Sequence, residues 1–389
     1  MRGWEMLTMK TDFWVHFGLG EAIWLNTAHQ GALPLRAAAA AKQAVDRKVT
    51  LTELTNESFA KVPGRLRTAL ARLIGSTEDE IVLANSASYG LHLIANSLPW
   101  RPGDDVIVMA TDFPSDILPW LMLEQRCGVT VRRLRPEGKV ISPEELRAAI
   151  TPRTRLFCTT WVHSFSGHAI DLDALGDVCR LHDVLFILNG SQAVGARPLD
   201  ISRHPFDAVT CAGFKWLCGP YGTGFCWIAP RLLDRLQRTK VYWLSMLSAA
   251  DLAGDLGDLT VGPLTSAAEF DIFGTANFFN FTAFAEAVEL HMELGLENVE
   301  THDQMLVQTL VEAVARTNFR MISPQESSPR RSTLVMFGDP RAERLSALRR
   351  RLDDAGIHTA MRMGAIRISP HLYNTPAQIS QVAELLVSA

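Results

Sequence analysis

The sequence predicts an α/β fold, with a large region on a mainly parallel sheet and a small α+β region after it. Three observations carry this. Short apolar runs alternate with helical stretches from about residue 80 onward. The runs are continuous rather than alternating with polar residues, which suits strands covered on both faces. After a helix expected over 299–317, the pattern changes to strands flanking a single helix.

The bulk composition narrows the function. The chain has 389 residues, 47% apolar and 21% charged, the balance of a soluble globular protein long enough for a large and a smaller unit. A net charge of −4 offers no electrostatic footprint for nucleic acid or an anionic membrane. No apolar run reaches the ~18–20 residues that span a bilayer. Residues 1–6 carry one charge of each sign and lack the apolar core of a signal peptide. A cytoplasmic protein is expected. Six cysteines include no Cys-x-x-Cys pair, and Cys211, Cys218 and Cys226 fit no zinc-site spacing. Buried free thiols are the expectation.

In chain order, residues 1–35 read as an arm that joins the small region. Within it, residues 23–25 form a short strand and residues 26–31 a polar turn. Pro34 opens a helix through the alanine run before Lys42. Leu66, Leu70 and Leu73 recur at helical spacing, with Arg65, Arg67 and Arg72 on the other face, which predicts a helix over 61–74. Strands follow at 81–83, 105–109, 129–131, 156–158, 184–188 and 225–228, most of them bounded by Gly, Pro or Asp. Residues 246–275 are loop-rich, and a long helix follows over 279–294. Strands at 334–337 and 366–368 flank a helix at 341–355. The expected division is an arm (1–35), a large ligand-binding domain (36–278) and a small domain (279–389).

In such sheets ligands bind beyond the carboxyl ends of the strands. After 81–83 comes Asn85-Ser86-Ala87-Ser88 at a helix start, where free backbone N–H groups suit an anion; a plain serine N-cap is the alternative. After 105–109 comes Phe113, able to stack on a flat ring or to serve as core. After 156–158 come Trp161, His163, Ser164, Phe165, Ser166 and His168, a concentration of rings and hydrogen-bonding groups, although either imidazole can equally be structural. The strand at 184–188 delivers Asn189 and Gln192. Lys215 stands among apolar and small residues before a Gly-Pro turn. Lysine is seldom buried without a partner, and a desolvated amine is a nucleophile toward aldehydes. Lys215 is therefore read as the Schiff-base lysine of pyridoxal 5'-phosphate.

The order of these signals resembles the class V aminotransferase superfamily of fold type I pyridoxal-phosphate enzymes, which includes cysteine desulfurases, selenocysteine lyases and isopenicillin N epimerase. The resemblance runs from Trp24-Leu-Asn-Thr-Ala-His-Gln-Gly31 to Arg367-Ile-Ser-Pro-His-Leu-Tyr-Asn374. It is densest at Lys215-Trp-Leu-Cys-Gly-Pro-Tyr-Gly-Thr-Gly224 and includes Gly274-Thr275 before the long helix. It implies a homodimer acting on an amino acid, with Lys215 as the catalytic base. Ala87 and Ser88 would hold the phosphate, Phe113 would stack, and Gln192 and Ser164 would contact the phenolic oxygen. Thr275 would reach the phosphate of the partner subunit. Arg367 would clamp the substrate carboxylate, with a surface salt bridge as its alternative, and His29 belongs to the substrate side.

Three departures shape the expected chemistry. Asn189 stands where the family carries an aspartate that keeps the pyridine nitrogen protonated. A neutral amide lacks the charge to do this and should weaken the electron sink. Ala212 and Phe214 replace a serine and a histidine near the lysine. The loop 356–364 lacks the cysteine that accepts sulfur in desulfurases, which weighs against a persulfide mechanism. The expected reaction is β-elimination of a C–S lyase type on a cysteine-like or S-conjugated amino acid. The alternatives are an aminotransferase, a Cα epimerase, or a cofactor-binding protein without turnover. Residues 242–246 and 361–363, rich in Met and aromatics, suggest either a roomy apolar pocket or core.

Overall fold

The computed structural model describes residues 12–388, so the stretch 1–6 read for a signal peptide lies outside the described residues. The chain enters on a short strand, β1 (Ile23–Trp24), then forms helices Leu35–Thr50 and Ser58–Ile74. Pro34 caps the first, and Gly75 ends the second in the left-handed conformation at φ 71°.

Seven strands then build one sheet: β2 (Ile81–Ala84), β3 (Asp105–Met109), β4 (Thr130–Leu134), β5 (Thr154–Thr160), β6 (Leu185–Asn189), β7 (Ala208–Ala212) and β8 (Gly224–Ile228). Their spatial order is β2-β8-β7-β6-β5-β3-β4. Neighbours from β7 through β4 pair parallel, and β8 pairs antiparallel with both β7 and β2. The six expected strands are present. β7 was not expected; its Ala-Val-Thr-Cys-Ala run is short and carries a polar centre.

Packing on the two sides of this sheet follows the two-residue period of a strand. Ile107, Phe157, Phe186, Leu188, Val209 and Phe225 face one core. Val106, Val108, Leu156, Leu185, Ile187 and Cys226 face the other. Both sides are dry, which explains why the runs are continuously apolar. Helix Phe278–Leu294 buries Phe281, Phe284 and Val288 in the first core. Gly213 and Gly219 let its Phe284 close over the lysine loop, since a Cβ at either would overlap that ring.

A second sheet has four strands: β9 (Arg320–Met321), β10 (Val335–Gly338), β12 (Ala360–Arg362) and β13 (Ala365–Ile368), in the order β12-β13-β10-β9 and antiparallel throughout. Between them in sequence, β11 (Ile357–His358) pairs parallel with β1. Helices Leu296–Ala315, Ala342–Asp354 and Pro376–Val387 share a core with these strands through Leu310, Leu348 and Val382. No helix of the described residues is long and apolar enough to cross a membrane.

Candidate active site

The carboxyl ends of β2, β3, β5, β6 and β7 lie on one edge of the large sheet. The residues just beyond them line a cleft with about 450 Å³ of empty space, mouth included. Ala87, Ser88, Phe113, Ser164, Asn189, Gln192 and Lys215, all named from sequence, meet there. Asp116 meets them as well, and sequence reasoning gave it no role.

Lys215 follows β7 in a tight bend. Two glycines buttress that bend, because a Cβ on Gly31 would overlap the carbonyl of Lys215 and one on Gly195 would overlap that of Trp216. Gly195 sits at φ 103°, a conformation other residues rarely adopt. The Gly31 N–H donates to the Phe214 carbonyl at 2.9 Å. The Lys215 amine makes no ion pair among the described residues and stands 5.6 Å from the centre of the Phe113 ring. Burial first, then the positive charge of Arg367, lowers its pKa to about 8.

At the other side of the cleft, Ser86 caps helix Ala87–Ser97 by accepting from the Tyr89 N–H at 3.3 Å. The N–H groups of Ala87 and Ser88 have no partner within the helix and point out of its N-terminus. Gly90 seats this helix on the sheet, where a Cβ would meet Thr210 at 2.7 Å. Gln192 is fixed, its Nε2 donating to the Ala28 carbonyl and its Oε1 accepting from Trp216 Nε1, both at 3.0 Å.

Arg367 projects from β13, opposite Met336 of β10. It is buried at 3% exposure, and no carboxylate lies within ion-pair distance among the described residues. The salt-bridge alternative is therefore not what the fold contains. Its guanidinium has only weak partners, the Ser164 carbonyl at 3.4 Å and Asn26 Oδ1 at 3.5 Å, and Nε has none. Burial and then Arg362 lower its pKa to about 10. Exposed His29 lies in the same field. Its pKa is lowered by burial, Arg362, Arg367 and Lys215 in that order.

Other residues lie elsewhere. Thr275 is buried, but it lines a separate cleft with Arg67, Asp271, Leu244 and Met246, away from its own Lys215. The apolar stretch 242–246 therefore does not enlarge the Lys215 cleft of its own chain, and Met363 is exposed. His163 is held by the Thr111 carbonyl at 2.9 Å and Ser166 Oγ at 2.8 Å, and His168 by the Ser166 carbonyl at 3.2 Å. Neither imidazole lines the cleft. The six cysteines are free, and none lines the cleft.

The profile of the family described as aminotransferase class V matches residues 41–382. The chain belongs to the class V aminotransferase family. Isopenicillin N epimerase of Streptomyces clavuligerus is 27% identical over 93% of this chain and 93% of that protein. A probable cysteine desulfurase of Methanothermobacter thermautotrophicus is 26% identical over 82% of each. Among solved structures, the cystine C-S lyase C-DES in complex with cysteine persulfide superposes with a TM-score of 0.83 at 22% identity, covering 95% of this chain and 98% of that one. The cysteine desulfurase CsdA of Escherichia coli superposes at 0.80 and 19%, covering 96% of each. The fold is thus the fold type I architecture expected from sequence.

The class V enzyme uses pyridoxal 5'-phosphate. The cleft fits this group. It offers an amine of lowered pKa, helix N–H groups free for a phosphate, an aromatic ring beside the amine and one orphan acceptor, Oδ2 of Asp116. Lys215, Ala87, Ser88, Phe113, Ser164 and Gln192 are the residues that would hold it.

Proposed function

We propose that this class V enzyme catalyses β-elimination on a cysteine-like or S-conjugated amino acid. The observation that carries this is a lysine amine without an ion-pair partner in a cleft that no cysteine lines, together with a buried arginine, Arg367, that contacts Ser164 of the cleft wall, lies within the electrostatic field of Lys215 and has no carboxylate partner among the described residues. Bound pyridoxal phosphate supplies an electron sink for the pair left when the Cα proton departs.

The chain's own groups do the rest. Arg367 takes the substrate carboxylate, which the cleft otherwise leaves unmatched. Its two Nη groups suit bidentate pairing. Exposed His29, within the electrostatic field of Arg362, Arg367 and Lys215, contributes to the substrate side. Lys215, once its amine is free, removes the Cα proton; a pKa near 8 lets it do so near neutral pH. The Cβ–S bond then breaks, the sulfur leaves as a thiol, and hydrolysis of the remainder yields pyruvate and ammonia. Sulfur leaves in solution, because no cysteine lines the cleft to accept it.

The division is an arm (1–35) joining a small domain (279–389), with the cofactor held by the large domain (36–278). The pairing of β1 with β11 supports this division. The enzyme acts as a cytoplasmic homodimer, with Thr275 turned to the partner's phosphate. In support, Thr275 lies away from its own Lys215, and Trp243, Leu259, Val261 and Phe273 on the adjoining stretch are about half exposed.

The deciding experiment incubates the holoenzyme with S-substituted cysteines and cystine. Release of pyruvate with thiol is expected. Conversion to the pyridoxamine form by amino donor alone would show an aminotransferase instead. Exchange of Cα–H in deuterated water without net product would show an epimerase. A cofactor band that no amino acid perturbs would show binding without turnover.

A further inference from the structure

Asn189 and Asp116 form one unit in the wall of the cleft, and that unit has one unused atom. Asn189 spends Oδ1 on the Ser191 N–H at 3.0 Å and an Nδ2 hydrogen on Asp116 Oδ1 at 2.7 Å. Asp116 is fully buried, and its Oδ2 has no hydrogen-bond partner. The neighbouring acid, Asp112, is fully employed. Its Oδ1 accepts from the Phe113 N–H at 2.9 Å, and its Oδ2 from the Thr159 hydroxyl at 3.0 Å and the Thr160 N–H at 2.9 Å. Of these two buried carboxyls, only Asp116 lines the cleft with Lys215, and it has an oxygen left to offer. A buried carboxyl oxygen without a partner is costly and calls for an explanation.

We propose that Asp116 supplies the carboxyl that meets the ring nitrogen of pyridoxal phosphate, with Asn189 as the bracket that orients it. The proposal rests on Lys215 being the cofactor lysine. Asp116 closes the single turn Pro114–Asp116, which starts directly after Phe113, and its N–H donates to the Phe113 carbonyl at 2.9 Å. One short rigid turn thus carries both the ring that stacks and the carboxyl that reaches the nitrogen. Ring nitrogen and Oδ2 share a single proton. Asp116 brings that proton, because burial first and then the charge of Asp112 raise its pKa well above the usual carboxylate range, against the pull of Asn189 and Lys215. With the cofactor bound, Asp116 Oδ2 would hold or donate that proton at the ring nitrogen, and negative charge on Asp116 would favour the protonated ring.

Asn189 cannot substitute, since its amide is neutral and its Oδ1 is taken. An aspartate at 189 would set two carboxylates 2.7 Å apart, where both cannot ionise. Asn189 and Asp116 are therefore matched: the negative charge the family keeps on β6 has moved to the turn after β3.

The test reconstitutes the chain with pyridoxal phosphate carrying ¹⁵N in its ring and reads the nitrogen by NMR. The wild type is expected to show a protonated ring. Asp116→Asn, with its lysine-bound absorption band and circular dichroism intact, is expected to show an unprotonated ring at the same pH. Asn189→Asp added to that variant is expected to restore protonation by returning a carboxylate to the pair. An unprotonated ring in the wild type, or a protonated one in Asp116→Asn, overturns the proposal. The wild-type spectrum decides even where the variant does not fold. If the wild type lacks any lysine-bound band, the reading of Lys215 falls as well, whereas an intact band with an unprotonated ring removes only the role given to Asp116.

Discussion

His371 donates from Nε2 to the carbonyl of Trp216, the residue after Lys215, at 2.9 Å. Its other nitrogen, Nδ1, holds Asp303 Oδ2 at 2.8 Å, and all of this is buried. His291 Nε2 reaches the same carbonyl at 2.8 Å. The lysine bend is therefore tied to helix Leu296–Ala315 by a charged pair as well as by packing.

That pair gives the fold a pH dependence. Burial alone would lower His371, but Asp303 outweighs it and holds the pKa up at about 10. The unfolded chain titrates near 6.5. The stabilisation is fully present below about 6.5, declines as pH rises and is lost through about 10. His371→Gln strands a buried carboxylate and should cost about 3–5 kcal/mol. Urea unfolding across this range should show the wild type losing its advantage over the variant at the alkaline end.

Lys215→Ala should abolish the lysine-bound absorption band while leaving the fold intact. In the wild-type apo chain, the amine is half neutral near pH 8. The rate of covalent attachment should rise with pH and level off just above 8, whereas a solvated lysine would keep rising toward 10.5. Stopped-flow absorbance reads this directly. A variant that keeps the band would show that another lysine is the attachment point.

Arg367→Leu should lower kcat/KM by about 30-fold or more, the effect of the ~2 kcal/mol minimum for removing a partner of a buried charge. Arg367→Lys should recover only part, because the paired geometry of the guanidinium is lost. Steady-state kinetics on an amino acid and on its decarboxylated amine separate carboxylate binding from general damage. The amine should lose far less than the amino acid in Arg367→Leu, where only the rise in the Lys215 pKa on loss of the Arg367 charge acts on it, and should be insensitive to Arg367→Lys.

Gly31→Ala should disturb the cleft without touching a chemical group. Its Cβ would overlap the Lys215 carbonyl, and overpacking of this kind costs about 1–3 kcal/mol. Lower cofactor occupancy at limiting pyridoxal phosphate, with a drop in Tm, is the expected outcome. Gly64→Ala is the control, because nothing lies within 4 Å of a Cβ there and its backbone is not left-handed.

The large sheet was legible because both its faces are buried, so every strand announces itself as an apolar run between turn residues. The polar residues that follow those runs in order line one cleft. Other features left weaker marks. β7 has Thr210 at its centre, and β9, β11 and β12 are two or three residues long, too short for any period to show. Arg367 could be singled out as an arginine inside an apolar strand, but its lack of an acidic partner is a fact of packing. Asp116 was illegible for a different reason. Its significance depends on Asn189, 73 residues later, and on a single oxygen with no partner. From sequence, Asn189 read only as a missing charge.

The turn at residues 26–31 sets the order in which the site can be completed. Asn26 bridges to Ser369 and Arg367, Thr27 donates to the Ser369 carbonyl, Ala28 accepts from Gln192, and Gly31 seals the lysine bend. These contacts join residues separated by up to 343 positions. During synthesis the turn emerges long before its partners, and its contacts are complete only once Ser369 has cleared the ribosome. Such distant closures come late in folding. The large sheet has all its strands by residue 228, yet the cleft that gives it chemistry closes only when nearly the whole chain is available.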